Sequence, residues 1–374
     1  MSTAIKLDTM PSKDISEYAE KVLLNNPFEN FKIENYKYAQ LHKSITSNVS
    51  LDEFKADLSS ISSVKNIKLS DTSDIDLLSD LNKWNFNNTD SYFRVNSILE
   101  RSSKKIDLDL FREEIICLDL SLFEENIHLL KASDSPKTLM INNSNLSEDC
   151  ARSIILNLSE NANLNIIHYN ISNSKSFLYF EINQQNKSNI KFLSFQSNNI
   201  HTRNEFFASL GENCSLDLYG LNIHNYGVND NYSFIQHMKP SSQSREVFKS
   251  IVKSGATTNF QGKIYVDSIA QKTDGYQMSR SLILDNESKA NNKPELEIYA
   301  DDVKCSHGST VSKLNQDQVY YFKSRGIDEE QAIKILQKAF LVETLEAIEN
   351  TQIKEYSYNL LDSRLWALNL TSQY

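Results

Sequence analysis

Hydrophobic and polar positions change their period twice along this chain. Near the start, Ile15, Ala19, Val22 and Leu23 recur at helical spacing before a break at Asn25-Asn26-Pro27. A second segment sets Phe31, Tyr36, Tyr38 and Leu41 among polar residues. Between about 50 and 105, short apolar clusters alternate with polar loops, and one helix is expected around Tyr92 to Leu99. From about 110 the period moves toward two, in ICLDLSL, KTLMIN, ANLNIIHY, SFLYFEI, NIKFLSF, CSLDLYG and GKIYVDS. That alternation predicts many short strands, because successive strand residues point to opposite faces. The joints are rich in Asn and Ser, and most gaps hold no helix of crossover length, which disfavours a doubly wound sheet.

A weak repeat refines this reading. Leu164-Asn165-Ile166, Ile190-Lys191-Phe192 and Leu216-Asp217-Leu218 recur every 26 residues, each behind a polar lead-in at Glu160-Asn161, Asn186-Lys187 or Glu212-Asn213. A fixed period with strand and turn in each unit suits a β-helix, in which each coil buries its apolar face against the next. A β-sandwich with chance matches between strands fits the same three repeats equally well.

After about 315 the helical period returns. Val319, Phe322 and Tyr320 are placed inward on a short helix that stops at Arg325-Gly326, a basic last turn before a C′ glycine. Asp328-Glu329-Glu330-Gln331 resembles a capping box with Asp at the N-cap. Ile333, Leu336, Phe340, Val342, Leu345 and Ile348 form a broad apolar stripe on the next helix, and a last helix is expected from about Gln352 to Leu370. Three units follow: a mainly helical region over 1–105, a β core over 106–315 and a helical region over 316–374.

Charge narrows the partners. The 374 residues hold 39 Lys and Arg against 49 Asp and Glu, a formal charge of -10, so no global positive field gathers nucleic acid. No apolar run approaches the roughly 18 to 20 residues that span a bilayer. The opening MSTAIKLDTMPSKDISEYAEK lacks the apolar core of a signal peptide, and a cytoplasmic address is expected. Cys117, Cys150, Cys214 and Cys305 show no CxxC spacing, which fits a reducing compartment better than a disulfide framework.

Candidate chemistry is sparse. Cys305 and His307 stand at i and i+2, so on a strand both project from one face and could approach one metal or cluster. Two ligands do not complete a tetrahedral site, and from spacing alone a packing cysteine beside a surface histidine is the more ordinary reading. Asp301 and Asp302, as strand neighbours, point to opposite faces and suit turn bonding better than paired acid–base work. Cys117, Cys150 and Cys214 read as packing residues, and His168, His224 and His237, without i+2 or i+4 ligand partners, as structural ones. Gly262-Lys263 is followed by Ile264 where a Walker A loop needs Ser or Thr, so no ATP hydrolysis by that loop is expected. Neither a GxSxG elbow nor an HExxH helix occurs.

The longest recognisable stretch is LEIYADDVKCSHGSTVSKLNQDQVYYFKSRGI, residues 296–327. Upstream of it, NFQGKIYVDSIAQKTDGYQMSRSLILDNESKANNKPELEIYADD carries F-x-G-K-I-x-V, A-Q-K-T-D and K-P-x-L-E-I-x-A-D-D, and downstream lies DEEQAIKILQKAF. In these motifs, over about 237–345, the chain resembles the SufD branch of the SufB/SufD family of iron–sulfur cluster assembly proteins. Glu34-Asn35-Tyr36-Lys37-Tyr38 resembles that branch's Glu-x-Trp-x-Tyr element, with Tyr36 in place of Trp.

The resemblance implies a mainly β protein, a right-handed parallel β-helix flanked by helical units, that pairs with SufB through the β-helix and with the ATPase SufC through the C-terminal helices. It implies a scaffold subunit, not an enzyme, that holds no cofactor stably when isolated. It places transient iron or an iron–sulfur cluster at the SufB interface beside His307 and Cys305, with His307 as a shared metal ligand. It assigns Leu336, Phe340 and Glu343 to SufC docking, and the sequence leaves a homodimer without SufB open beside the heterocomplex. Two rivals remain: a carbohydrate-active β-helix enzyme, which needs carboxylates at mechanistic separation, and a purely structural interaction protein.

Overall fold

The computed structural model describes residues 61, 64–66, 68, 70, 73–76, 102–123, 127–132, 137–144, 150–171, 174–197 and 200–370. The helices expected around Ile15 to Leu23 and Tyr92 to Leu99 lie outside the described residues. The early strands are β1 (Val64–Asn66), β2 (Ser73–Asp76), β3 (Ser102–Asp107), β4 (Ile115–Asp119), β5 (Ile127–Ala132) and β6 (Lys137–Asn142). The middle ones are β7 (Cys150–Leu158), β8 (Asn163–Asn170), β9 (Ser176–Gln184), β10 (Asn189–Gln196), β11 (His201–Leu210) and β12 (Ser215–His224). The last are β13 (Val228–His237), β14 (Gln243–Val252), β15 (Thr257–Val266), β16 (Thr273–Ile283), β17 (Lys289–Ile298) and β18 (Val303–Lys313). Three helices follow: α1 (Gln316–Ser324), α2 (Glu329–Leu345) and α3 (Thr351–Leu370).

The strands divide into two nine-stranded sheets, ordered β1-β4-β6-β8-β10-β12-β14-β16-β18 and β17-β15-β13-β11-β9-β7-β5-β3-β2. Pairing is parallel throughout except between β2 and β3. Consecutive strands alternate between the sheets, so the chain winds a parallel β-solenoid, and the sandwich is excluded. The repeat is the coil itself: Leu164, Ile190 and Leu216 are register partners on β8, β10 and β12. The later coils are longer, as cross-coil bonds 28 and 31 residues apart record, and the repeat accordingly fades from the sequence.

The polar lead-ins form the corners. Asn161, Lys187 and Asn213 take φ of 63°, 60° and 55°, and each donates its backbone N–H to a carbonyl of the next coil. Such left-handed residues cost roughly 1–2 kcal/mol unless asparagine or glycine stands there. Two of the three are asparagine. Asparagines also stack within the sheets: Asn189 donates to Asn163 at 2.8 Å and Asn291 to Asn259 at 2.8 Å. The Asn-rich composition is thus the material of the corners and ladders.

Inside the early and middle coils the lumen is apolar, filled by Ile106, Leu118, Leu139, Ile154, Leu164, Phe180, Phe192 and Phe206 among others. Phe180 and Phe206 stack with centroids 5.2 Å apart. Further along, the lumen turns polar: Asn204 and Asn229 donate to Gln196 Oε1 at 2.7 and 2.8 Å, and Asn231 donates to Asn229 at 2.8 Å. On the opposite face of β11, Arg203 donates to Glu205 at 2.7 Å and also bonds Asp230, all three buried.

Helices α2 and α3 lie on the outer face of the first sheet, where Leu341, Leu345, Ile348, Ile353, Leu361 and Leu365 meet Ile167, Leu193, Phe195 and Leu221. Asp328 caps α2 by accepting from the Gln331 N–H at 2.9 Å, as its sequence predicts. Gly326 has φ 83° and closes α1 with Ile327, whose N–H reaches the Phe322 carbonyl at 3.2 Å. The buried face of α2 runs through Ala332, Gln337, Leu341, Thr344 and Leu345, a partial rotation from the expected stripe, of which Leu345 and Ile348 are buried and Phe340 and Val342 pack partly buried against the same cluster. The rotation is allowed because Thr344 satisfies its hydroxyl on the Leu341 carbonyl at 2.7 Å, so a polar residue sits in the seam without penalty. On α1, Val319 is buried as expected, but Tyr320 is 74% exposed. Among the described residues no helix is long and apolar enough to cross a membrane.

Candidate functional site at the open end of the solenoid

The coil made by β17 and β18 ends the solenoid, and each of these strands is the edge of its sheet. β18 pairs with β16 along its whole length, placing Cys305 opposite Gly275 and His307 opposite Gln277. The inward positions on β16 are Thr273, Gly275, Gln277, Ser279 and Ser281, all buried. Cys305 and His307 therefore project toward the lumen from one face of β18. Cys305 is half-buried against Ile264, Ala270 and Leu296, and burial pushes its thiol above the ordinary range. His307 is exposed, because no further coil covers the end. The last coil thus presents one sheltered thiol and one open imidazole side by side, along an unpaired strand edge of eleven residues.

Among the described residues no three His, Cys, Asp or Glu side chains gather to hold a metal ion. Cys305 and His307 can supply two soft or borderline ligands, and a four-coordinate iron needs the rest from elsewhere. Asp301 and Asp302 lie in the bend before β18, where the Asp302 N–H bonds the Gln271 side chain at 2.9 Å and its carbonyl accepts from Lys272 at 2.6 Å. The remaining cysteines and histidines are dispersed. Cys117 packs between the first sheet and the helices, its thiol pushed up to about 12 by burial. Cys214 is buried in the lumen, and Cys150 lies half-buried near Asn143 and Ser176. His168 bonds Ser194 at 3.0 Å and His237 bonds Ser242 and Ser244 at 2.6 and 2.8 Å. Burial lowers these rings to about 3 and about 4, so both are neutral.

Sequence reasoning missed two residues behind His307. Glu246 and Gln277 are both fully buried, in register on β14 and β16, and Gln277 Nε2 donates to Glu246 Oε2 at 2.6 Å. Burial raises the Glu246 carboxyl to about 7, with bonds from Ser233 and Gln277 opposing the shift. Gly262, across the lumen, leaves the space: a Cβ there would stand 2.3 Å from Gln277 Nε2. No sequence signal marked them, because Glu246 and Gln277 stand at alternating positions among other polar residues such as Ser244, Ser250, Ser279 and Ser281.

The residues expected at the SufC contact lie together on α2. Phe340 and Glu343 are held by Lys249 of β14, whose ammonium donates to the Phe340 carbonyl and the Glu343 carboxylate at 2.7 Å each and lies 5.3 Å from the Phe340 ring centre. Leu336 is half-buried, and the neighbouring Ile335, with Tyr320 and Tyr321 on α1, is exposed.

Comparison with known proteins is consistent with this geometry. A family model described as SUF system FeS cluster assembly, SufBD core domain, matches residues 128–340. The chain is similar to the iron–sulfur cluster assembly protein SufD of Escherichia coli, 36% identical over 156 residues, which is 41% of this chain and 37% of that protein. It is 41% identical over 121 residues, 32% of its length, to a SufBD family protein of Synechocystis, covering 27% of that relative. It is 42% identical over 121 residues, again 32% of its length, to the chloroplastic protein ABCI7 of Arabidopsis thaliana, covering 26% of it. The matched stretches therefore span between about a quarter and two fifths of these relatives' own lengths. With more than half of its residues inside the SufBD core and a parallel solenoid built from them, the chain belongs to the SufBD family of SUF-system iron–sulfur cluster assembly proteins.

Proposed function

We propose that the chain is a SufD-like, non-catalytic scaffold subunit of a cytoplasmic SufB–SufC–SufD complex, with helical, β-helical and helical units over 1–105, 106–315 and 316–374. The observation that carries this is the placement of His307 and Cys305 on the exposed edge strand of an open coil, with an incomplete ligand set. An unpaired edge of this length is a template for another chain, which adds backbone hydrogen bonds and could supply the missing ligands. SufB is the proposed occupant, and a second copy of this chain the occupant in its absence. Iron or a nascent cluster is then cargo at the junction, with His307 as a shared ligand and Cys305 mainly packed.

His307→Ala removes an exposed imidazole and is expected to leave stability within about 0.5 kcal/mol. The reconstituted complex should form normally but assemble little cluster, measured as iron, sulfide and visible absorption. Cys305→Ala should impair assembly less. Normal cluster yield in a correctly assembled His307→Ala complex removes the proposed role.

SufC docking is proposed on α1 and α2, with Leu336, Phe340 and Glu343 of α2, the last two at the margin held by Lys249 of β14, and the exposed Ile335, Tyr320 and Tyr321. Phe340→Asp places a charge at this apolar margin, where desolvation is costly. It is expected to weaken SufC binding by about tenfold or more, or roughly 1.4 kcal/mol. Titration of SufC against a variant with unchanged circular dichroism checks this, and unchanged affinity takes Phe340 out of the contact.

A further inference from the structure

Glu246, Gln277 and His307 occupy matching inward positions on β14, β16 and β18. Neighbouring strands lie about 4.8 Å apart, so the side chains of such a file meet in sequence. Gln277 stands between the other two. Its Nε2 is committed to Glu246 at 2.6 Å, while its Oε1, fully buried, has no hydrogen-bond partner among the described residues. The two ends of an amide diverge, so with Nε2 held on β14 the oxygen is free to turn toward β18. Gly262 closes the opposite side without a side chain, which leaves the amide room to hold this pose. A buried acceptor left unbonded costs about 1–3 kcal/mol, and the register partner of Gln277 on β18 is a histidine with N–H to donate.

We infer that Gln277, anchored by Glu246, is the positioning residue of His307: its amide oxygen accepts from one imidazole N–H and leaves the other ring nitrogen as the acceptor presented to iron. Histidines that ligate metals commonly donate their second N–H to such a partner, which fixes the tautomer and orients the ring. The inference deepens the proposed role of His307 and rests on it for its functional meaning. The hydrogen bond itself does not depend on that role.

The test is the tautomer of His307 in the full-length chain, read from imidazole nitrogen shifts at about pH 8, above the ordinary histidine range. The His307 signal is assigned by its absence in His307→Ala. One tautomer should dominate in the unsubstituted protein, and Gln277→Met, of similar length but without the acceptor, should move His307 to the mixture of a solvated imidazole. His168 and His237, buried on serines, report in the same spectrum whether the solenoid is intact. In the complex, Gln277→Met should lower cluster formation about tenfold, as loss of a ligand's outer partner typically does. A solvated tautomer mixture in the unsubstituted protein overturns the inference, even if Gln277→Met fails to fold. So does an unchanged His307 signal in a folded Gln277→Met. Normal cluster yield from His307→Ala would instead remove the functional reading and leave the tautomer result standing.

Discussion

Arg203→Ala is expected to destabilise the protein by about 3–5 kcal/mol, the range for breaking a buried ion pair from one side. Arg203 is 1% exposed and binds two carboxylates, Glu205 and Asp230, which are themselves 1% and 4% exposed. Its guanidinium also lies 5.8 Å from the Tyr232 ring centre. Removing it takes the guanidinium away from both acids where solvation is poor, and burial already pushes the Asp230 carboxyl upward against the pull of Arg203. Arg203→Lys should recover only part of the loss, since an ammonium cannot reproduce the planar fork that serves two partners. Arg203→Met combined with Glu205→Gln and Asp230→Asn should be milder than Arg203→Ala, because no uncompensated charge remains. Urea unfolding followed by circular dichroism measures each step. A loss below about 1 kcal/mol for Arg203→Ala would show that the three charges are not buried together in solution.

Glu246 should make stability fall as pH rises toward neutrality. Its carboxyl is raised from the ordinary 4.5 to about 7 in the folded chain, so the folded state keeps a proton that the unfolded state has released. The favourable contribution is complete below about 4.5 and lost as pH climbs through about 7. Integrated over that window it amounts to about 3 kcal/mol. His168 and His237 act in the opposite direction: their lowered values remove stability as pH falls below the ordinary 6.5. The two effects separate in a difference measurement. Glu246→Gln keeps a carbonyl to accept from Gln277 and carries no titratable proton, so its stability relative to the unsubstituted chain should improve by about 3 kcal/mol between about pH 4.5 and 8. A pH-independent difference between the two proteins would place the Glu246 carboxyl in contact with water.

The coil architecture was legible because its physics is local and repetitive. Alternation at Leu164-Asn165-Ile166 and its two successors sets one side of each strand inward, and Asn161 and Asn213 suit the left-handed corners between strands. The Asp328 cap and the Gly326 stop are likewise written in a few adjacent residues. The CSHG motif placed Cys305 and His307 on one strand face by its spacing alone.

What lay beyond the sequence was everything set by which coil abuts which. Spacing cannot say that β18 is an edge, so the exposure of His307 and the sheltering of Cys305 appeared only once the coils were stacked. The seam of α2 had the same origin: that Gln337 and Thr344 share it with Leu341 and Leu345 was fixed only by the sheet beneath them. Glu246, Gln277 and His307 stand about thirty residues apart along the chain, as the 31-residue separation of the first two records, and become neighbours through strand register. The alternation of apolar and polar residues, the corners and the caps were determined by the sequence itself, because each follows from the backbone preference of a residue or from its near neighbours in the chain. The polar file behind His307 was decided by tertiary structure, because its members meet only when three successive coils bring their inward positions into line.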